Sequence, residues 1–137
     1  MDILSPADRS ERMRRVRSKD TKPELVVRRL VHGMGLRYRL HRKDLPGTPD
    51  IVFGPRRRVI LVHGCFWHGH DDANCRKGAL PKTRIEFWRN KIDQNRLRDE
   101  RTSLALDRAG WGQLVVWECE CRDREILSAR LRAFLIP

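Results

Sequence analysis

Three of the chain's five histidines and two of its four cysteines lie between His63 and Cys75, in the string His63-Gly64-Cys65-Phe66-Trp67-His68-Gly69-His70 and its continuation. Neutral imidazole and thiolate are the usual zinc ligands, and a structural zinc takes four of them in a tetrahedron. Cys65, His70 and Cys75 supply three at spacings a loop can accommodate. The fourth must come from afar, and both Cys119 and Cys121 follow an apolar stretch that could return them to this loop. The spacing is not that of a Cys-x-x-Cys knuckle, and a free cysteine by itself reads as a small buried hydrophobe. For Cys121 alone that reading is preferred; for the group, zinc is.

His63 and His68 are left over from that set. A lone histidine is more often structural than chemical, but Asp50 changes the balance. It follows Pro49 and opens an apolar stretch that pairs with the one ending at His63. A carboxylate can hold Mg²⁺ against a phosphate, the metal acidifies a bound water, and a nearby histidine can accept the proton. Acid and histidines together at strand ends therefore read as phosphodiester hydrolysis. The bland reading of Asp50 is a turn-capping aspartate after Thr48-Pro49.

The elements that must position these residues can be read from pattern. Thr21-Lys22-Pro23-Glu24 is a capping box, which starts a helix that runs to Gly33 and Gly35. Leu36 to Leu40 alternates as a half-buried strand. Asp50 to Phe53, a turn at Gly54, and Arg58 to Val62 form a hairpin. Residues 63–80 are irregular. Pro81 to Arg108 reads as a long helix, with Ile85, Trp88, Ile92, Leu97 and Leu104 as its inward residues, ended by Gly110. Leu114 to Trp117 is a further core strand, and Arg124 to Leu135 a closing helix. Neither repeats nor a low-complexity linker divides the chain. The expectation is one α/β domain with a small mixed central sheet flanked by helices: residues 1–20 as a basic N-terminal arm or helix, residues 21–137 as the nuclease domain.

Charge points to the partner. Thirty Lys and Arg oppose eighteen Asp and Glu, a net +12 over 137 residues. Arg dominates, and its guanidinium forks onto phosphates and guanine edges. A high-GC genome explains Arg over Lys but not the excess of charge, so a polyanion, and first of all nucleic acid, is the expected partner. No apolar run approaches the roughly 20 residues of a membrane span, and the N-terminus lacks the apolar core of a signal peptide. A cytoplasmic, nucleoid-associated protein follows, with reduced cysteines.

At these residues the chain resembles the very short patch repair (Vsr) endonucleases. The likeness covers nearly the whole sequence: Arg17 to Thr21, the Leu45-Pro46-Gly47-x-Pro49-Asp50 run, His63 to His68, Glu86-Phe87-Trp88 and Trp117-Glu118-Cys119. It implies a restriction-endonuclease-like fold with a structural zinc. It also implies an enzyme that nicks one strand of double-stranded DNA 5′ to the thymine of a T·G mismatch left by deamination of 5-methylcytosine. Asp50 matches the family's metal-bridging carboxylate, with the Val62 main-chain carbonyl as a second Mg²⁺ ligand. His68 matches the residue that activates water, His63 a second active-site histidine, and Glu24 a helix glutamate beside them. Cys65, His70, Cys75 and Cys119 match the Zn²⁺ ligands. Phe66 and Trp67 match residues that wedge into the base stack, with Met13 entering from the other groove. Trp88 lies on the neighbouring helix, and Lys91 and Asn95 match residues that read the mismatched pair. Apolar wedges unstack a base step for a few kcal/mol, least at a mismatch. Two departures stand out: Val62 where the family commonly has Thr, and Asp71 to Asn74 where a histidine-rich stretch is usual. A nickase acting on one strand can work as a monomer, which is the expected state, and the resemblance brings mismatch-repair proteins in as candidate partners. Two alternatives stand beside this reading. One is a nickase of the same fold with another mismatch specificity; the other is a zinc-stabilised DNA-binding module without catalysis.

Overall fold

The structure is a computed structural model that describes residues 20–71, 75 and 79–137. The expected N-terminal arm, with Met13, lies outside these residues, as do positions 72–74 of the loop that departs from the family.

Helix α1 spans Lys22–Gly33, strands β1, β2 and β3 span Arg39–Leu40, Ile51–Phe53 and Arg58–His63, and helix α2 spans Ile85–Arg108. Strand β4 spans Gly112–Trp117, a 3₁₀ turn Glu118–Arg122, and helix α3 Arg124–Leu135. The four strands form one mixed sheet in the order β1-β2-β3-β4. β1 and β2, and β2 and β3, are antiparallel. β3 and β4 are parallel, which requires a crossover, and α2 lies in that connection.

Side chains alternate across a strand, and here both faces are covered. Ile51, Phe53, Ile60 and Val116 pack with Val27 and Val31 of α1 and Leu127, Leu131 and Leu135 of α3. Val52, Val59 and Leu61 point the other way and pack with Leu106 of α2 and Trp111. The result is an α/β arrangement with helices on both faces of the sheet. By the same alternation Asp50, just before β2, and His63, the last residue of β3, fall on the α2 face.

The start of α1 is as the sequence indicates, with one difference. Thr21 is the N-cap and accepts from the Glu24 amide. The Glu24 carboxylate, however, takes the amide of Asp20 at 3.3 Å rather than that of Thr21, so the box closes one residue early. The strand expected over Leu36–Leu40 keeps its alternating exposure, but only Arg39 and Leu40 pair with β2.

Helix α2 differs more. It begins at Ile85, four residues after Pro81, with Arg84 in the left-handed region at φ 54°. Ile85, Leu97 and Leu104 point to solvent, the last two 53% and 55% exposed. Its buried residues are Ile92, Asn95 and Leu106. The inward stripe therefore carries polar groups, because much of it faces a cleft rather than a core.

Candidate active site and metal centre

The cleft lies between the α2 face of the sheet and α2 itself. It has a volume of about 920 Å³, and its walls include His41, Asp50, Val62, His63, His68 and Asp99. β2 and β3 deliver Asp50 and His63 by register, and the loop after β3 brings back His68. Gly69 makes this return possible: its φ is +60°, and a Cβ there would lie 2.5 Å from Ile92 on α2. A side chain at this position meets both a disfavoured backbone and a neighbouring helix. The turn sends His68 into the cleft and His70 the opposite way, toward the cysteines.

Asp50 is half-buried, and its Oδ2 accepts the amide of Val62 at 2.7 Å. In a strand the N–H and C=O of one residue face the same neighbour, so the Val62 carbonyl is aimed toward the same side as Asp50. Burial raises the Asp50 carboxyl to about 6, and the nearby Glu24 carboxylate adds to the shift; the Val62 amide and His41 oppose it. A carboxyl this reluctant to ionise gains from a cation beside it.

His63 and His68 stack face to face. The Nδ1–H of His68 donates to Asp99 Oδ2 at 2.6 Å. In the neutral ring this contact places the hydrogen on Nδ1 and leaves Nε2 as the acceptor. His63 is 9% exposed, and its Nδ1 has no hydrogen-bond partner among the described residues. Burial, with the His68 ring beside it, lowers His63 to about 4, so it is neutral at pH 7.

The second cluster is on the other side of Trp117. Donor atoms of Cys65, His70, Cys75 and Cys119 lie within 4.8 Å of one another, and Cys119 Sγ is 3.5 Å from His70 Nδ1. Zn–S bonds of about 2.3 Å and Zn–N bonds of about 2.0 Å place tetrahedral ligands roughly 3.5–3.8 Å apart. Three thiols and an imidazole at these separations fit such an ion. Cys121 is elsewhere, packed on the core with its Sγ donating to the Pro23 carbonyl at 3.7 Å. The Trp117 ring stacks on His70 at 4.0 Å and meets the His63 ring edge-on at 5.2 Å. One indole thus lies between the cysteine cluster and the histidine pair.

Of the remaining expected residues, Phe66, Trp67 and Trp88 are half-buried and form one aromatic group, with centroids 5.0–5.8 Å apart. Lys91 is half-buried one turn from Asn95 on α2. Asn95 is 7% exposed, and its amide donates to the Trp67 carbonyl at 2.8 Å. Here its amide nitrogen holds the aromatic loop. Glu24, 1% exposed, is gripped by His41 and Arg28.

Two residues of the site were not singled out from sequence. Asp99 is one turn beyond Asn95 on α2, and an inward stripe drawn through Ile92 and Asn95 reaches it. His41 carries no such signal, since only folding places it against Glu24.

The comparisons with known proteins agree with this geometry. The profile of the family described as DNA mismatch endonuclease Vsr matches residues 1–75. The chain is 57% identical over 136 residues to the type II nicking enzyme V.XorIIP of Xanthomonas oryzae pv. oryzae, covering 99% of this chain and 98% of that protein. It is 42% identical over 130 residues to the type II nicking enzyme V.NmeAIP of Neisseria meningitidis, covering 95% and 91%. It is 43% identical over 127 residues to the DNA mismatch endonuclease Vsr of Escherichia coli (strain K12), covering 93% and 80%. Near-complete coverage at these identities, over a chain that gathers Asp50, His63 and His68 into one cleft, places the protein in the Vsr family of DNA mismatch endonucleases.

Proposed function

We propose that this DNA endonuclease nicks one strand of a duplex 5′ to the thymine of a T·G mismatch, with Mg²⁺ in the cleft and Zn²⁺ in the cysteine cluster, on a restriction-endonuclease-like fold. The observation that carries the proposal is the His68–Asp99 pair lining the same cleft as the Asp50 carboxylate. Asp50 and the Val62 carbonyl would hold Mg²⁺, which when bound neutralises charge on the scissile phosphate and lowers the pKa of water. His68, oriented by Asp99, takes a proton from the attacking water through Nε2. The water oxygen bonds to phosphorus, the P–O3′ bond breaks, the departing O3′ takes a proton from solvent, and 3′-hydroxyl and 5′-phosphate ends result. His63, held neutral by burial, packs His68 in place.

The net charge of +12 supports capture of the duplex through its phosphates. The half-buried group of Phe66, Trp67 and Trp88 supports insertion beside a weakened base step, and Lys91 and Asn95 are the residues on the adjoining helix face that would meet the mismatch. A single cleft suffices to cut one strand, so a monomer is adequate. Among the described residues no helix is long and apolar enough to cross a membrane.

The test is cleavage of labelled duplexes bearing T·G, every other mismatch, or the matched pair, in several flanking contexts, with Mg²⁺ or EDTA. Mg²⁺-dependent nicking 5′ to the T of T·G is the expected outcome. Relatives named type II nicking enzymes support a second reading, a different mismatch or sequence context on the same chemistry. Preferential cutting at another mismatch, or in one flanking context only, would favour it. Salt-sensitive binding without any product would reject catalysis.

A further inference from the structure

His41, in the cleft wall, touches both Glu24 and Asp50. Its ring Nε2–H is shared between the two oxygens of Glu24, 2.9 Å from each. Its main-chain N–H donates to the Asp50 carbonyl at 3.0 Å, which ties it to the residue that opens β2. It does this at φ +48°, a left-handed conformation uncommon for residues with a side chain. The strain is retained at a cleft wall, where backbone outliers tend to serve a site. Glu24 is otherwise held by Arg28 of α1 at 3.2 Å and by the Asp20 amide at 3.3 Å, and its carboxyl is within hydrogen-bonding reach of Asp50. Of these partners, His41 alone is bound to both Glu24 and the Asp50 backbone.

We infer that His41 is a positioning residue: by gripping Glu24 with its ring and Asp50 with its backbone, it sets the spacing of the two carboxylates and so presents Asp50 to a divalent cation. The inference rests on the metal reading proposed above. Without the ring, the Glu24 carboxylate is free to turn toward Arg28, and the negative field at Asp50 weakens. Partners that orient a ligand in this way commonly change metal affinity by about 10–100-fold when lost. The grip requires an N–H donor of the right reach, not an imidazole as such, so glutamine is a fair substitute.

The experiment uses the full chain and two substitutions. His41→Gly removes the ring while easing the left-handed backbone, and His41→Gln keeps a donor. Mn²⁺ binding without DNA is followed by loss of the free-ion EPR signal, and single-turnover nicking is measured across Mg²⁺ concentrations. For His41→Gly we expect Mn²⁺ affinity to fall about tenfold or more, and half-saturating Mg²⁺ to rise by the same factor. Its rate at saturating Mg²⁺ and its duplex Kd in EDTA should stay within about twofold of the parent. His41→Gln should recover most of the loss. A His41→Gly protein with unchanged Mn²⁺ and Mg²⁺ dependence would overturn the inference, as would a His41→Gln protein no better than His41→Gly. If the parent protein neither bound Mn²⁺ nor nicked with Mg²⁺, the metal reading itself would fall, and the inference with it.

Discussion

The imidazoles of His63 and His68 lie face to face, 3.9 Å between centroids and 4° from parallel, yet among the described residues only His68 has a carboxylate partner. Two stacked rings cannot both be charged at little cost. Asp99 at 2.6 Å holds the Nδ1 of His68 alone.

Asp99→Asn should therefore leave duplex binding intact and lower the nicking rate by about 100-fold or more, as expected for loss of an oriented general base. His63→Gln should lower it less, because His63 supports the stack without accepting the proton. Single-turnover kinetics on a T·G duplex, with Kd measured in EDTA, separates rate from affinity. An Asp99→Asn protein that nicks at the parent rate would remove Asp99 from the mechanism.

Two buried groups give opposite pH dependences to stability. His63 takes up its proton near pH 4 when folded and near 6.5 otherwise. Between those values the unfolded chain binds the extra proton, so stability falls as pH drops. The Asp50 carboxyl holds its proton up to about pH 6 when folded, against 3.8 otherwise. Over that range acid favours the fold, and the two effects largely offset each other. Asp50→Asn should accordingly melt higher than the parent at pH 7.5 in EDTA, since no half-buried carboxylate is ionised. It should also lose stability more steeply between pH 6.5 and 4, by up to about 1.4 kcal/mol per pH unit. Melting curves across pH check both statements. An Asp50→Asn protein with a lower Tm at pH 7.5 would contradict the raised pKa of Asp50.

In the metal-free protein, burial and the adjacent thiols push Cys65 up to about 12, and burial also raises Cys119. Zinc binds thiolates, so loading must displace thiol protons. Addition of Zn²⁺ to the chelated protein at pH 7.5 should release about three protons per ion, read with a pH indicator. Cys119→Ser should bind zinc weakly and melt lower. Cys121→Ser, remote from the cluster, should load as the parent does. Zinc content unaffected by Cys119→Ser would refute the four-ligand site.

Asn95 anchors the Trp67 carbonyl from a nearly buried position. Asn95→Ala should leave that carbonyl without its partner and destabilise the protein by about 1–3 kcal/mol. It should also loosen the group of Phe66, Trp67 and Trp88, which denaturant melts and the Trp emission of the free protein would register. If stability and emission are unchanged and only mismatch preference shifts, Asn95 serves in base reading alone.

Much of the architecture follows from the chain itself. Thr21 and Glu24 are near neighbours, so α1 was legible as a cap plus an apolar stripe. Ile51 to Phe53 and Arg58 to Val62 are local apolar runs joined by a Gly54 turn, so the hairpin was too. The composition and the His63–Cys75 string were enough to indicate a polyanion partner and a metal-binding loop, because those signals reside in residue types and short spacings. The inward face of α2 was not legible. Apolar periodicity assumes that a helix buries its apolar residues, whereas α2 turns Asn95 and Asp99 toward a polar cleft and leaves Leu97 and Leu104 in solvent. The placement of Cys119 rather than Cys121 in the cysteine cluster, which spacing left open and only the family resemblance indicated, the pairing of His68 with Asp99, and the grip of His41 on Glu24 depend on folding. Their partners lie 49, 31 and 17 residues apart in sequence. Contacts at that range depend on how the parallel β3–β4 pair, the α2 crossover and the Gly69 turn bring separate stretches together, which no local pattern encodes.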